Sequence, residues 1–537
     1  MNGSPYPLYQ GILQTLTQEA LTAPLASDEQ PAVVDANSFQ TIEVKRLFDV
    51  LDTTRTSLGK AVLYRSLAQP LSDAKQIAEK QDALRELEKD ANLSERIEKF
   101  LVQAAQTERA FYQLLFGEFI GLMGTPSGRL QFEGYGYAAY KKGTRFMLDL
   151  VRTARDLPTP NSRYLRALVD ALRECGIARV CDMMQGPVYL VVAKRLKTRH
   201  EKPRLLPAIK FRPSLFKPFL IFWALVALWL VVDLTPKVIG GSVFLWPILF
   251  SLALPGILLY VPSVGAFDRD QFIYPLRDEF KSSAEIYGAL EAVGRLDELL
   301  AFQSYARSFG TITILPQIRA AERHLFILRA ARNPVLAKGN QDYVSNDIVL
   351  HEHRITFITG PNSGGKTALC KTIAQIQLLA QIGCYVPAAS AEISVADKIY
   401  YQAPEAGSLD DAEGRFEREL HRTKAIFFAA SPNSLVILDE LSEGTTHAEK
   451  LEISRSILDG FSHIGNSTVL VTHNHELAEQ YQKRNIGQYQ QMEFNGHRPT
   501  FRVVQGISKL SHADRIAKKI GFAREDIERY LKQQGYV

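Results

Sequence analysis

Residues 360 to 367 read Gly360, Pro361, Asn362, Ser363, Gly364, Gly365, Lys366 and Thr367, a loop with glycines at both ends that closes on a lysine and a hydroxyl. Glycines let successive backbone N–H groups turn inward onto phosphate oxygens, a lysine in this place reaches β- and γ-phosphates, and the hydroxyl after it is placed to hold Mg²⁺. Two more clusters follow in order. Asp439 and Glu440 close the apolar run Ser434-Leu-Val-Ile-Leu438, and His473 closes Ser467-Thr-Val-Leu-Val-Thr472. Asp439 suits a metal, Glu440 suits a water, and a neutral imidazole at His473 could sit near the γ-phosphate. The chemistry this set could perform is nucleotide hydrolysis, which asks a protein mainly for positioning and charge stabilisation. The bland alternative is an ordinary glycine-rich strand-to-helix turn, with Glu440 a solvated strand-end carboxylate and His473 a hydrogen-bonded core residue.

Such residues need rigid elements behind them. Arg354-Ile-Thr-Phe-Ile-Thr359 is the apolar, β-branched stretch that a buried strand requires. Asp439 and Glu440 then lie at the C-terminal mouth of a parallel strand. Between Asp73 and Arg155 the apolar residues recur at three and four, as in Leu84, Leu87, Leu93, Ile97 and Leu101, which predicts long helices, and Ser283 to Arg307 is helical again.

At this point the residues resemble one family. Thr359 through Thr367, then Leu379-Ala-Gln-Ile-Gly-Cys-Tyr-Val-Pro387, Asp439-Glu-Leu-Ser-Glu-Gly-Thr-Thr446, Thr472-His473 and Glu476-Leu477 are similar to the ATPase domain of MutS-type mismatch recognition proteins. Arg332-Asn-Pro-Val335 and Tyr343-Val-Ser-Asn-Asp347 resemble the segment leading into that family's phosphate loop. Leu47-Phe48, Leu51-Asp52, Thr54, Thr56, Gly59, Leu63, Leu67, Pro70-Leu71, Asp73, Ile77, Gln81 and Leu84 follow the pattern of its helical core. The tail from Gly506 to Gly521 resembles the helical end that pairs two copies.

The resemblance implies ATP and Mg²⁺ as cofactors. Lys366 and Thr367 would hold phosphates and metal, Asp439 would support the metal, Glu440 would polarise the attacking water, and Asn362 and His473 would contact the γ-phosphate side. It also implies a homodimer through the ATPase domain, and DNA as a partner. One departure concerns the segment that crosses the family's dimer interface. Anchoring on Phe416 and Glu419 places Gly414 where the family has a serine, so Gly414 through its backbone, or Arg415 or Arg418 through charge, is expected to give weakened rather than abolished hydrolysis across the dimer.

The middle of the chain suggests something different. Pro218 to Val232 and Val238 to Val261 carry no charge, and Trp223, Trp229 and Trp246 are the chain's only tryptophans. A bilayer core of about 30 Å takes about 20 apolar residues, so the pair is expected to form a two-span transmembrane hairpin. The alternative is a buried helical hairpin. Lys194, Arg195, Lys197, Arg199, Lys202, Arg204, Lys210, Arg212 and Lys217 precede it, opposed only by Glu201. That charge predicts an integral membrane protein with its ATPase and both termini cytoplasmic, and contact with membrane lipid, although the same run could neutralise DNA phosphates.

The chain has 537 residues, 46% of them hydrophobic, and a net charge of +5, which leaves room for several domains and large cores. Cys175, Cys181, Cys370 and Cys384 show neither a zinc spacing nor a disulfide framework. The expected fold class is multidomain α and α/β. A polar segment occupies 1–37; a MutS-like helical core occupies 38–193 and 263–325, interrupted by a basic segment at 194–217 and the hairpin at 218–262. A P-loop, ABC-like ATPase domain with a mostly parallel sheet follows at 326–505, and a helical dimerisation segment at 506–537. The family's amino-terminal mismatch-reading domain is expected to be absent, and Phe116-Gly-Glu118 to be a chance match to its wedge. The leading expectation is a membrane-anchored, mismatch-repair-related ATPase. The alternatives are a nucleotide-gated membrane scaffold or a transport-related ATPase that does not bind DNA.

Overall fold

The computed structural model describes residues 32–121, 134–192, 195–201, 208–209, 262–361, 364–404, 412–441, 447–495, 498–508 and 520–536. They form two compact units. One comprises Thr54–Val62 and the described residues of Glu86–Glu298; the other comprises the described residues of Ala20–Thr53, Leu63–Arg85 and Leu299–Val537.

The first unit is mainly helical. In chain order the described helices begin with α1 (Ala36–Thr41) and α2 (Val44–Leu51), which belong to the second unit, α3 (Ser57–Ala68) and α4 (Ala74–Lys89), which are divided between the two, and then α5 (Ala91–Phe116), α6 (Tyr137–Arg155), α7 (Arg163–Cys175) and α8 (Arg179–Gln185) of the first. Helix α5 starts where the Asp90 carboxylate accepts the Leu93 N–H, and it buries Leu93, Ile97, Phe100, Leu101, Ala104, Phe111 and Leu115 along one stripe. That stripe packs on α6, where Gly143 permits the approach: a Cβ there would stand 2.7 Å from the Ala110 carbonyl oxygen. After α9 (Tyr274–Ser282) comes α10 (Ala284–Ser308). Its Asp297 accepts the Arg55 and Thr56 N–H groups and the Thr56 hydroxyl, while Glu108 of α5 accepts the Ser57 N–H, so two carboxylates satisfy the start of α3. Phe116 ends α5 beneath the Lys281 ammonium, 4.9 Å from its ring centroid.

The second unit carries two sheets. Strands β1 (Val188–Val192), β2 (Arg195–Lys197) and β3 (Ala208–Ile209) belong to a small antiparallel sheet in the first unit; the rest follow as β4 (Gln317–Arg319), β5 (Phe326–Ala331), β6 (Asn346–Leu350), β7 (Ile355–Thr359), β8 (Ser390–Ser394), β9 (Ile399–Gln402), β10 (Leu435–Asp439), β11 (Ser467–Val471), β12 (Gln488–Asn495) and β13 (Arg498–Gln505). The larger sheet has the order β13-β12-β7-β11-β10-β9 and is parallel except for the β12–β13 hairpin. The smaller has the order β4-β8-β5-β6. Helices α11 (Lys366–Gln381), α12 (Ala412–Ala429), α13 (His447–Ile464) and α14 (His475–Lys483) accompany the larger sheet, and α15 (Arg524–Gln533) follows. Strands β7 and β11 are buried along their whole length, which is why they read as unbroken apolar runs. Phe357, Val436, Leu438, Leu470, Leu458, Phe461 and Tyr481 share one core, each large side chain contributing about 1.5–3 kcal/mol by burial.

The expectation of a membrane-spanning fold and an integral membrane location is corrected. No helix among the described residues is long and apolar enough to cross a membrane. Helices α5 and α10 have the length, at 26 and 25 residues, but both carry charges between their apolar positions: Glu95 and Lys99 lie on the exposed side of the amphipathic α5, while the largely buried α10 contains Glu291, Arg295, Asp297 and Glu298. The stretch 218–261 on which the hairpin was placed lies outside the described residues. Part of the basic segment folds instead: Leu196 and Lys197 of β2 pair with Leu190 and Tyr189 of β1, and Glu201 bonds to Arg179 at 2.9 Å.

Candidate active site

The glycine-rich loop, described at Gly360, Pro361, Gly364 and Gly365, lies between β7 and α11. Gly360 has φ +134° and Gly365 has φ +96°, conformations that side chains rarely adopt, so glycine is required at both bends. Gly365 is also the cap of α11, whose first residue is Lys366. The Lys366 ammonium is buried and donates to the carbonyl oxygens of Gly360 at 2.8 Å and Pro361 at 3.0 Å. Burial pulls its pKa below the usual lysine value, while the charges of Asp439 and Glu440 oppose that shift. Asn362 and Ser363 lie outside the described residues; Gly364 stands over Met492, where a Cβ would come within 3.2 Å of that side chain.

Parallel pairing delivers the acidic and histidine ends to the same place. Leu438 pairs with Leu470 and Asp439 with Val471, so the C-terminal mouths of β10 and β11 are level. Thr367 Oγ1 donates to Asp439 Oδ2 at 3.1 Å. Burial raises the Asp439 carboxyl above the usual carboxylate range, the Thr367 hydrogen bond opposing and the neighbouring Glu440 charge adding. A hydroxyl and a half-buried carboxylate at this spacing are the hard oxygen donors that Mg²⁺ prefers, and such a carboxylate gains from a cation beside it. The residues present therefore fit that ion.

Glu440 has φ +67°, uncommon for a residue with a side chain, and its N–H is tied to the Val471 carbonyl oxygen at 2.9 Å. The turn aims its carboxylate at His473, with Glu440 Oε1 3.0 Å from His473 Nε2. His473 is held from both sides, since the Thr472 N–H bonds to the Ile358 carbonyl and Asn474 caps α14 by accepting the Leu477 N–H. Lys366, Thr367, Asp439, Glu440 and His473 thus meet at the C-terminal ends of β7, β10 and β11, where open α/β sheets place ligands. Gly414, Phe416 and Glu419 lie on the first turns of α12, with the Glu419 carbonyl accepting from Gln402 Nε2 at 3.3 Å; the Arg415 side chain lies outside the described residues.

Beside Gly365 opens a cavity of about 270 Å³ that sequence reasoning did not anticipate. Tyr343 and Val344 line one part, Leu369 and Thr372 of α11 the floor, and Met492 and Phe501 of the β12–β13 hairpin the other part. Phe501 has φ +61°. Asn346 clamps it there, donating to the Phe501 carbonyl at 3.0 Å and accepting the Val503 N–H at 2.7 Å. Tyr343 fell within a quoted motif, but no spacing rule pointed to Met492 or Phe501, which reach the site only through sheet pairing.

Residues 33–302 match the family model described as MutS domain III, and residues 356–532 match that described as MutS domain V. The DNA mismatch repair protein MutS of Haloquadratum walsbyi is 30% identical over 269 residues, which cover 47% of this chain and 28% of that protein. The DNA mismatch repair protein MutS of Desulforamulus reducens is 28% identical over 460 residues, 80% of this chain and 51% of that one. The DNA mismatch repair protein MSH3 of Kluyveromyces lactis is 28% identical over 291 residues, 51% of this chain and 28% of that one. The chain spans at most about half the length of these relatives.

Proposed function

The chain belongs to the MutS family, the domain III match at 33–302 taking in half of its 537 residues, and from that premise we propose that it is a Mg²⁺-dependent ATPase acting on DNA in a mismatch-repair-related process. The observation that carries the hydrolase reading is the meeting of Lys366, Thr367 and Asp439 with the Glu440–His473 pair at one sheet edge. The loop N–H groups and Lys366 bind the phosphate chain, with Lys366 exchanging the Gly360 and Pro361 carbonyls for phosphate oxygens. Thr367 and Asp439 would hold Mg²⁺, which would supply charge neutralisation to the triphosphate. Glu440, fixed by its strained turn and by His473, orients the attacking water in line with the γ-phosphate. Tyr343 and Phe501 line the adjoining cavity, which would suit the base as an aromatic-lined pocket.

Dimerisation through the ATPase unit and contact with DNA are supported by family membership. Lys366→Ala removes a buried charge-assisted contact, so affinity for Mg²⁺-ATP should fall roughly 10- to 100-fold. Fluorescent-nucleotide titration, run with and without duplex DNA at low and high salt, tests both parts. Unaltered affinity in the variant would overturn the phosphate-loop assignment, and a DNA response that does not weaken with salt would overturn the DNA contact.

A further inference from the structure

Tyr401 lies on β9 next to β10. In the parallel pairing it stands beside Ile437, two residues before Asp439, and side chains two apart on a strand share a face. Its phenol is therefore directed along the face on which the Asp439 carboxylate sits. Tyr401 is fully buried, and its hydroxyl has no hydrogen bond of ordinary geometry among the described residues. Burial raises the phenol above its ordinary value and the charges of Cys370, Asp439 and Glu43 add to this; of these groups, Asp439 is the one that the β9–β10 pairing places on the same face. Glu43 is engaged elsewhere, with Lys371 at 2.8 Å and Arg46 at 3.0 Å. Cys370, one turn along α11 from Thr367, is fully buried on the same side and is a weak acceptor at best.

A buried hydroxyl left short of a partner is costly, and a phenylalanine would fill the same space without that cost. The arrangement makes sense if the bond closes when the carboxylate is drawn into its working position. Thr367 already engages Asp439 Oδ2. We propose that Tyr401 is a positioning residue for the metal carboxylate: its O–H donates to Asp439 from the side away from the phosphate loop and fixes the orientation in which Asp439 and Thr367 receive Mg²⁺. This rests on the nucleotide-hydrolase reading above and adds to it a partner behind the ligand set. Groups behind a ligand commonly change metal affinity by 10- to 100-fold when removed.

The test is Tyr401→Phe in the full chain, which keeps the ring and removes only the hydroxyl. Binding of a fluorescent ADP analogue is measured in EDTA and across a Mg²⁺ titration, and Mn²⁺ binding to the nucleotide complex is followed by electron paramagnetic resonance. The expected result is unchanged nucleotide affinity in EDTA, a Mg²⁺ half-saturation raised about tenfold, and weakened Mn²⁺ binding with an altered spectrum. Equal metal half-saturation in the two proteins overturns the positioning role. Metal-independent nucleotide binding by the unaltered chain overturns the metal site itself, and with it this proposal.

Discussion

At the scale of single residues, the site depends on groups held away from their ordinary ionisation. His324 shows this outside the site. It is fully buried, stacks on Phe326, and has Nε2 3.3 Å from Gln377 Oε1. Burial lowers its imidazole from 6.5 to about 4. Because the folded-state value is the depressed one, the unfolded chain takes up a proton that the folded chain refuses, and stability present above the unfolded value is lost as pH falls towards 4. Between about pH 7.5 and about pH 5 this one group should remove about 2 kcal/mol. Urea unfolding of the chain and of His324→Gln at both pH values checks it: the variant should lose less on acidification by that amount, and parallel losses would contradict the assignment. Lys366, Thr367, Asp439, Glu440 and His473 were legible in the sequence because each is tied by fixed spacing to a strand end. Tyr401, Met492 and Phe501 were not, because they reach the site through strand pairing that local spacing does not encode.

At the scale of elements, the apolar periodicity of Leu84 through Leu101 anticipated α4 and α5, and the β-branched runs anticipated β7, β10 and β11. The β12–β13 hairpin was harder to read, since its residues are mostly half-buried and its register shifts between Met492 and Phe494. Helix packing makes a sharper prediction. A methyl at Gly143 meets the Ala110 carbonyl at 2.7 Å and Leu114 at 3.0 Å, whereas one at Gly288 of α10 meets nothing within 4 Å. Gly143→Ala should therefore destabilise the helical unit by about 1–3 kcal/mol through overpacking. Gly288→Ala should stabilise it by about 0.5–1 kcal/mol through helix propensity. Chemical denaturation monitored by circular dichroism reads both, and shifts of the same sign would contradict the packing argument.

At the scale of the whole molecule, the family was legible because its motifs recur at distant points in the right order, from Leu47 to Gly521. The membrane assignment failed for the opposite reason. It rested on two uncharged runs, their tryptophans and the basic segment before them, with a first run short of the ~20 residues that a span needs, and the long described helices carry charge between their apolar positions. What remains is a mainly helical unit and an α/β unit, the latter holding a glycine-rich loop, an acidic strand end and a histidine strand end, with Thr367 bonded to Asp439 and Glu440 to His473. The central claim is that Glu440 directs a water onto a bound triphosphate, and phosphate release by Glu440→Ala beside its affinity for Mg²⁺-ATP tests it most directly. Turnover should fall on the order of a hundredfold or more while nucleotide is still bound; turnover equal to that of the unaltered chain would contradict the account.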